Sequence, residues 1–269
     1  MKTKYTLAAL ALIAASALTA SCEKLVDKAF QTAMESINHE YQDSEKWGKV
    51  TTIDLPALAF QEVELNGAVR LEYTQDSICS IQVYGGEKAI KAYSINVDDE
   101  ELEVTLKDVS GKIDKNTPAI TVRIAAPYLT EINGSGASEV AYINNVVQEE
   151  ELEVKLTGLG KASFGELKAR ELGVTISGAG EVSMTNVVIT DDVELRVEGA
   201  AHLSGKLTAK ELEMKLMGAA SGTLDIHTQK ADVNCSGASD LTLTGQTGSL
   251  ELNSGGASSL KKDGLKVGL

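Results

Sequence analysis

The chain has 269 residues, a formal net charge of −14, 43% apolar residues and only 4% aromatic ones. So acidic a surface repels polyanions, and no basic stripe with interleaved aromatics occurs, so the composition argues against nucleic-acid binding. Three cysteines are too few for a disulfide framework, so buried apolar surface must hold the fold.

Lys2 and Lys4 form a short basic start, and Leu7 to Leu18 is a continuous run of Leu, Ala, Ile and Ser, too short to span a bilayer as a stable helix. Residues 1–21 therefore read as a signal peptide. Leu18-Thr19-Ala20-Ser21-Cys22 resembles the lipobox of bacterial lipoproteins, with Thr19 where an aliphatic residue is more common. That resemblance implies acylation of Cys22, export, and anchoring in the cell envelope at the outer membrane. Several acyl chains on one residue anchor durably where a single chain is marginal. Removing Lys2 and Lys4 with the leader lowers the formal charge from −14 to −16. The remaining thiols, Cys79 and Cys235, lie in phase with apolar neighbours and read as buried free cysteines, although export permits a bond between them.

Residues 22–49 carry Phe30, Met34 and Ile37 at helical spacing among charges, then a polar stretch. This predicts a short amphipathic helix, or a tether that is partly helical.

Residues 50–130 predict an irregular β region. Phe60, Val63 and Leu65, then Asn66-Gly67-Ala68, then Val69, Leu71 and Tyr73 form an imperfect copy of a motif repeated further on. Strand-like runs come next at Ile78 to Tyr84, Tyr93 to Val97, Leu102 to Leu106 and Ile120 to Ala125. Asp98-Asp99-Glu100-Glu101 between two of them reads as a solvated hairpin turn rather than a calcium loop, since no spaced acidic ligands with a closing glycine surround it. The region is expected to cap the N-terminal end of the repeats, where an exposed sheet edge would recruit other chains.

From residue 131 to 269 one signal dominates: glycines at Gly136, Gly158, Gly178, Gly199, Gly218, Gly237 and Gly256, spaced 19 to 22 residues apart. Period-two apolar triplets precede them from Gly158 onward, such as Leu152, Val154, Leu156 and Leu172, Val174, Ile176. A second pair comes after each glycine and a third pair, such as Leu167 with Ala169, closes most units. Three short strands per unit, none able to bury its face alone, predict an all-β, right-handed parallel β-solenoid with coils of about 20 residues. The connections are too short for crossover helices. The glycines suit corners needing positive φ, and the alanine that nearly always comes next suits a cramped inner corner.

The Phe60 to Ala68 start, the irregular middle and the iterated Ser-Gly-Ala-Ser/Gly motif closely resemble the head GIN domain family of autotransporter-adhesin-type proteins, over roughly residues 58 to 269. The resemblance implies an exported, commonly lipid-anchored β-helical protein with no established activity. The sequence stops in mid-coil at Gly264 to Leu269, which reads as a truncated end with an open edge after Val267 and leaves the oligomeric state undetermined.

Catalytic, metal and cofactor sites are not predicted. His39, His202 and His227 fall in different phases, so convergence on a metal is not expected. Ser135, Ser177 and Ser236 precede corner glycines without a histidine and carboxylate in phase to activate them. Gly158-Leu159-Gly160 lacks the helix and the Lys-Ser/Thr pair of a phosphate loop, and Glu149-Glu150-Glu151 reads as solvated surface. The expected function is a non-catalytic binding, adhesion-type or structural module whose partner is an extended polymer, a glycan or a protein. The alternative is a carbohydrate-active β-helix enzyme, which needs long insertions as groove walls and carboxylates of shifted pKa.

Overall fold

The computed structural model describes residues 44–108, 117–142 and 144–268. The leader, Cys22, and the Phe30, Met34 and Ile37 stripe lie outside the described residues. Within them, two short helices, α1 (Ser44–Trp47) and α2 (Glu87–Lys91), accompany fourteen strands in one sheet. No helix among the described residues is long and apolar enough to cross a membrane.

The regular part of the solenoid is built from β7 (Glu131–Tyr142), β8 (Val146–Val147), β9 (Leu152–Ala169), β10 (Leu172–Ile189), β11 (Asp192–Thr208), β12 (Glu211–Gly237), β13 (Asp240–Ser254) and β14 (Ser259–Val267). The long strands succeed one another in parallel, each coil on the one before, so Gly136, Gly158, Gly178 and Gly199 lie in register. The three strands expected per coil are not separated. The ladder runs through the glycine corner, because every coil turns at the same register position and its backbone groups stay paired while turning.

Gly199 shows why the corner takes glycine. Its φ is 125°, and a Cβ added there would fall on the carbonyl oxygen of Gly178 one coil earlier. Conformation and backbone approach both exclude a side chain. The alanine after each glycine is not the cramped inner position. Period-two alternation continues through the corner, so Ala137 and Leu159 point away from the core and join Ala68 and Ala119 in a separate small apolar cluster, while Ala238 is exposed. The inner corner belongs to the next residue, as at Gly180, where a Cβ would meet the Ile176 side chain and the Gly160 carbonyl.

Inside, like positions stack into columns. Tyr73 and Tyr142 meet edge to face at 5.0 Å, Tyr142 and Phe164 lie 5.2 Å apart, and Met184 stands one coil on. The Tyr73 hydroxyl donates to the Ala126 carbonyl at 3.1 Å, whereas the Tyr142 hydroxyl is buried with no partner among the described residues. Burial holds both phenols protonated far above neutral pH. Neither cysteine is bonded; Cys235 is buried, and Cys79 is only half-buried.

The N-terminal region comprises β1 (Val50–Leu55), β2 (Glu62–Gln75), β3 (Ser80–Gly86), β4 (Tyr93–Asp98), β5 (Glu101–Leu106) and β6 (Ala119–Ala126). Strand β2 is the first coil of the stack, with Gly67 in register with Gly136 of β7. On its other side the first half of β2 pairs with β5 and the second half with β6, both parallel. Antiparallel β4 extends the β5 side, and antiparallel β3 and β1 extend the β6 side. The acidic turn between β4 and β5 is the expected hairpin, with Asp99 and Glu100 both at positive φ, 45° and 66°.

Strand β5 ends at Leu106 and β6 starts at Ala119, and among the described residues no glycine stands above Gly67. Tyr93 takes that place: its hydroxyl accepts from the Ala68 amide at 2.9 Å and lies 2.6 Å from the Pro118 carbonyl and 3.2 Å from that of Ala68. Where the chain leaves the first coil, side-chain amides replace backbone in the same way. Gln75 joins the Pro127 and Val147 carbonyls to the Val147 amide, and Asn144 pairs with the Gln75 backbone.

Candidate functional site

Outward positions also form columns, and these carry the chemistry available to a partner. Beside the strands that precede the corner glycines, Glu101, Glu62, Glu131 and Glu153 are neighbours on successive strands, and after Gly173 the acidic column resumes with Glu194 and Glu213. The adjoining column supplies the counter-charges in the middle coils. The Lys155 ammonium bridges Glu153 at 2.7 Å and Glu131 at 3.3 Å, Arg196 lies 3.4 Å from Glu194, and Lys215 pairs with Glu213. These bonds, that to Glu153 foremost, push the Lys155 pKa up.

At the N-terminal end the adjoining column holds Glu103 and Glu64 instead of cations. Glu64, Glu101 and Glu103 bring carboxylate oxygens within 4.8 Å of one another, a convergence that sequence spacing conceals because β2 and β5 are distant in the chain. Partial burial and then repulsion from Glu64 and Glu103 raise the Glu101 pKa. All three are carboxylates on an open strand face, and among the described residues no buried donor is directed at them.

The strands after the corners present a second face. Arg70 makes a two-pronged contact with Glu139 at 3.1 Å and another with Glu72 at 2.9 Å, and Arg123 closes on Glu72 from the other side at 2.9 Å while covering the Tyr84 ring. Burial acts to raise the Glu72 pKa, but the hydrogen bonds from Arg123 and Arg70 outweigh it and hold the carboxyl below its ordinary range. Further along the stack, Ser163, Ser183, Ser204, Thr223 and Thr242 occupy one register position on successive coils, with the Ser183 hydroxyl 3.1 Å from that of Ser163. Next to this hydroxyl ladder run Lys161, Glu181, His202 and Ser221.

A family described as "Putative auto-transporter adhesin, head GIN domain" matches residues 59–190 and 184–268. The chain belongs to this family. As a head GIN domain it shares its fold with solved structures. One is a "putative adhesin" from Bacteroides fragilis, 21% identical, with a TM-score of 0.62 over 79% of this chain and 96% of the other. Another is a "putative lipid binding protein" from Parabacteroides distasonis, 15% identical, with a TM-score of 0.64 over 80% and 97%. A further "putative adhesin" from Parabacteroides distasonis is 16% identical, with a TM-score of 0.58 over 80% and 97%. No curated protein matches the chain.

Of the residues singled out by sequence, the seven glycines stand at the corners with φ between 76° and 128°, and Gly67 at 136° makes an eighth corner. Cys22 and His39 lie outside the described residues. His227 lies 3.6 Å from Asp225 on another side of the coil, so it and His202 do not converge. His202 has a neighbour that period counting did not bring forward: its Nδ1 is 3.1 Å from the Ser221 hydroxyl on the next coil, with Glu181 in register on the coil before. Glu181 faces Lys161 at 3.5 Å, and the surrounding amides are committed to the ladder, so Ser221 has neither an aligned carboxylate behind its histidine nor donors for an oxyanion. Glu150 receives the Arg170 amide on its carbonyl at 3.4 Å, placing the acidic connection at a corner between coils.

Proposed function

We propose that this head GIN domain is a non-catalytic, adhesion-type binding module of the cell envelope, held at the outer membrane by lipid on Cys22, and that its outward columns receive an extended polymer, a glycan or a protein strand. One observation carries the reading: outward side chains repeat in register from coil to coil, as in the Ser163 to Thr242 ladder, so the face offers equal contacts at a spacing of about 4.8 Å. A polymer with its own short repeat gains from such a row through many weak contacts made at once. A carbohydrate-active enzyme needs walls and a buried acid. Between β9 and β13 the coils keep register with one bulge, between Met184 and Val187, which supplies little material for walls.

Glycan-array binding together with an assay for reducing-end release tests the proposal. Binding without release supports it, and turnover at enzyme-like rates on any bound glycan overturns it. Exchange of Cys22→Ser is expected to move the protein from the membrane fraction to the soluble fraction; unchanged sedimentation would remove the lipid anchor from the reading.

A further inference from the structure

We infer that the N-terminal end of the solenoid is a membrane-facing surface that binds anionic lipid headgroups through a cluster of lysines. Helices α1 and α2 meet there: the Glu87 amide donates to the Lys49 carbonyl at 3.1 Å, Gly86 lies against Trp47, and Gly48 lies against Lys88. Lys107 closes the group, donating from Nζ to the Lys91 carbonyl at 2.9 Å. The Lys46 ammonium sits 4.9 Å from the centroid of the Trp47 ring. Five lysines, Lys46, Lys49, Lys88, Lys91 and Lys107, thus gather with only Glu87 and Asp108 as described acidic neighbours of the same segments, in a chain whose net charge is −14.

Most lysines along the coils are paired with carboxylates, although Lys168, Lys206, Lys262 and Lys266 are exposed and make no ion pair among the described residues. Lys155, Lys161, Lys210, Lys215, Lys230 and Lys261 each lie within 4.0 Å of a carboxylate. Lys49, Lys88, Lys91 and Lys107 are exposed and make no such ion pair among the described residues. Their charge is therefore available to an outside anion. A planar array of phosphates is the occupant that fits, because the cluster lies on an end of the molecule rather than in a cleft, and because the chain leading back to residue 22 enters at α1. Juxtamembrane lysines each contribute a modest attraction that fades within a Debye length, about 8–10 Å at physiological salt. Glu101 stands at the other end of β5, roughly 20 Å from Lys107 along the strand, so its carboxylate does not cancel the lysine charge.

The inference does not depend on acylation. The test uses residues 22–269 carrying Cys22→Ser, which retains every residue of the fold and excludes a lipid contribution. Flotation with phosphatidylcholine vesicles, with and without phosphatidylglycerol, is expected to show binding to the anionic vesicles only, weakening as salt rises above about 0.1 M. The K88E/K91E/K107E variant should lose at least ~tenfold in partitioning, the K88R/K91R/K107R variant should retain it, and the reversals K168E/K206E on a coil face should change it little. Equal binding to both vesicle types, or equal loss from the coil-face reversals, overturns the inference. So does salt-sensitive self-association without vesicles that K88E/K91E/K107E abolishes, since the lysines would then be meeting the acidic columns of a second copy.

Discussion

The coils from β9 to β13 and the cap formed by β1 to β6 meet the same requirement, a partner for every buried backbone group, in different ways. In the coils the partner is a copy of the same residue one turn away: glycine lies over glycine, and a 19- to 22-residue period is the visible trace. In the cap the register breaks between Leu106 and Ala119, and a phenol and two amides fill the places that backbone vacates. Repetition makes stacking simple, because one solution serves every coil. Ending the stack requires particular side chains, each used once.

The comparison breaks most sharply at a corner. Gly199→Ala adds a Cβ onto the Gly178 carbonyl at a φ of 125°, and should cost at least ~3 kcal/mol in denaturant unfolding. Gly173→Ala, on an outward strand position whose nearest neighbour is Glu153 Cγ at 3.4 Å, should instead be neutral or stabilise by roughly 0.5–1 kcal/mol. Similar losses at both positions would show that corner geometry is not what selects glycine.

Tyr93→Phe tests the cap. Leaving the Ala68 amide and the Pro118 carbonyl without the hydroxyl should cost about 1–3 kcal/mol. Hydrogen exchange should accelerate at Ala68 while protection in β10 and β11 holds. Uniform acceleration through the stack would mean that the cap and coils unfold as one unit.

The stacked phenols give a smaller contrast. Tyr73→Phe removes a hydroxyl bonded to Ala126 and should cost about 1 kcal/mol, whereas Tyr142→Phe removes an unpartnered one and should be neutral or slightly stabilising. A loss at Tyr142 as large as that at Tyr73 would place a bound water on its hydroxyl.

Two carboxylates give the smallest effect and opposite signs. Glu72, clamped by two arginines, should titrate below 4.5, and Glu101, crowded by carboxylates, above it, as tracked by carbon-detected NMR. Glu72 thus contributes stability above pH 4.5 that is lost as pH falls through its lowered value. Glu101 favours the fold when protonated, and that contribution is lost as pH rises from 4.5 through its raised value. Glu72→Gln should therefore destabilise at neutral pH and Glu101→Gln should not.

Much of the coil was legible in the sequence. Leu152, Val154 and Leu156 alternate because a strand with one buried face must alternate, and Gly158 marks the corner because φ of 99° admits little else. The alanine column misled, since parity through a corner is a property of the turned backbone and not of the motif. The resemblance carried by Phe60 to Ala68 placed Gly67 as the start of the repeat, and in the structure it stands in register with Gly136.

The candidate surfaces were less legible. A period tells which residues face out, but not which charges find partners. Lys155 is bridged by two glutamates, while Lys91 and Lys107, 16 residues apart, are drawn together at an end by α2 and β5. Likewise His202 reaches Ser221 only because 19 residues make one turn at that point.

The sequence by itself determined that the chain coils, where each coil turns and which side chains fill it, because each of those choices is local and repeated. Only the tertiary structure decided how the stack is closed and where its charge is left unpaired. Tyr93, Gln75, Glu64 with Glu101, and Lys91 with Lys107 act through contacts between segments that no period connects, and such contacts exist only once the chain has folded back on itself.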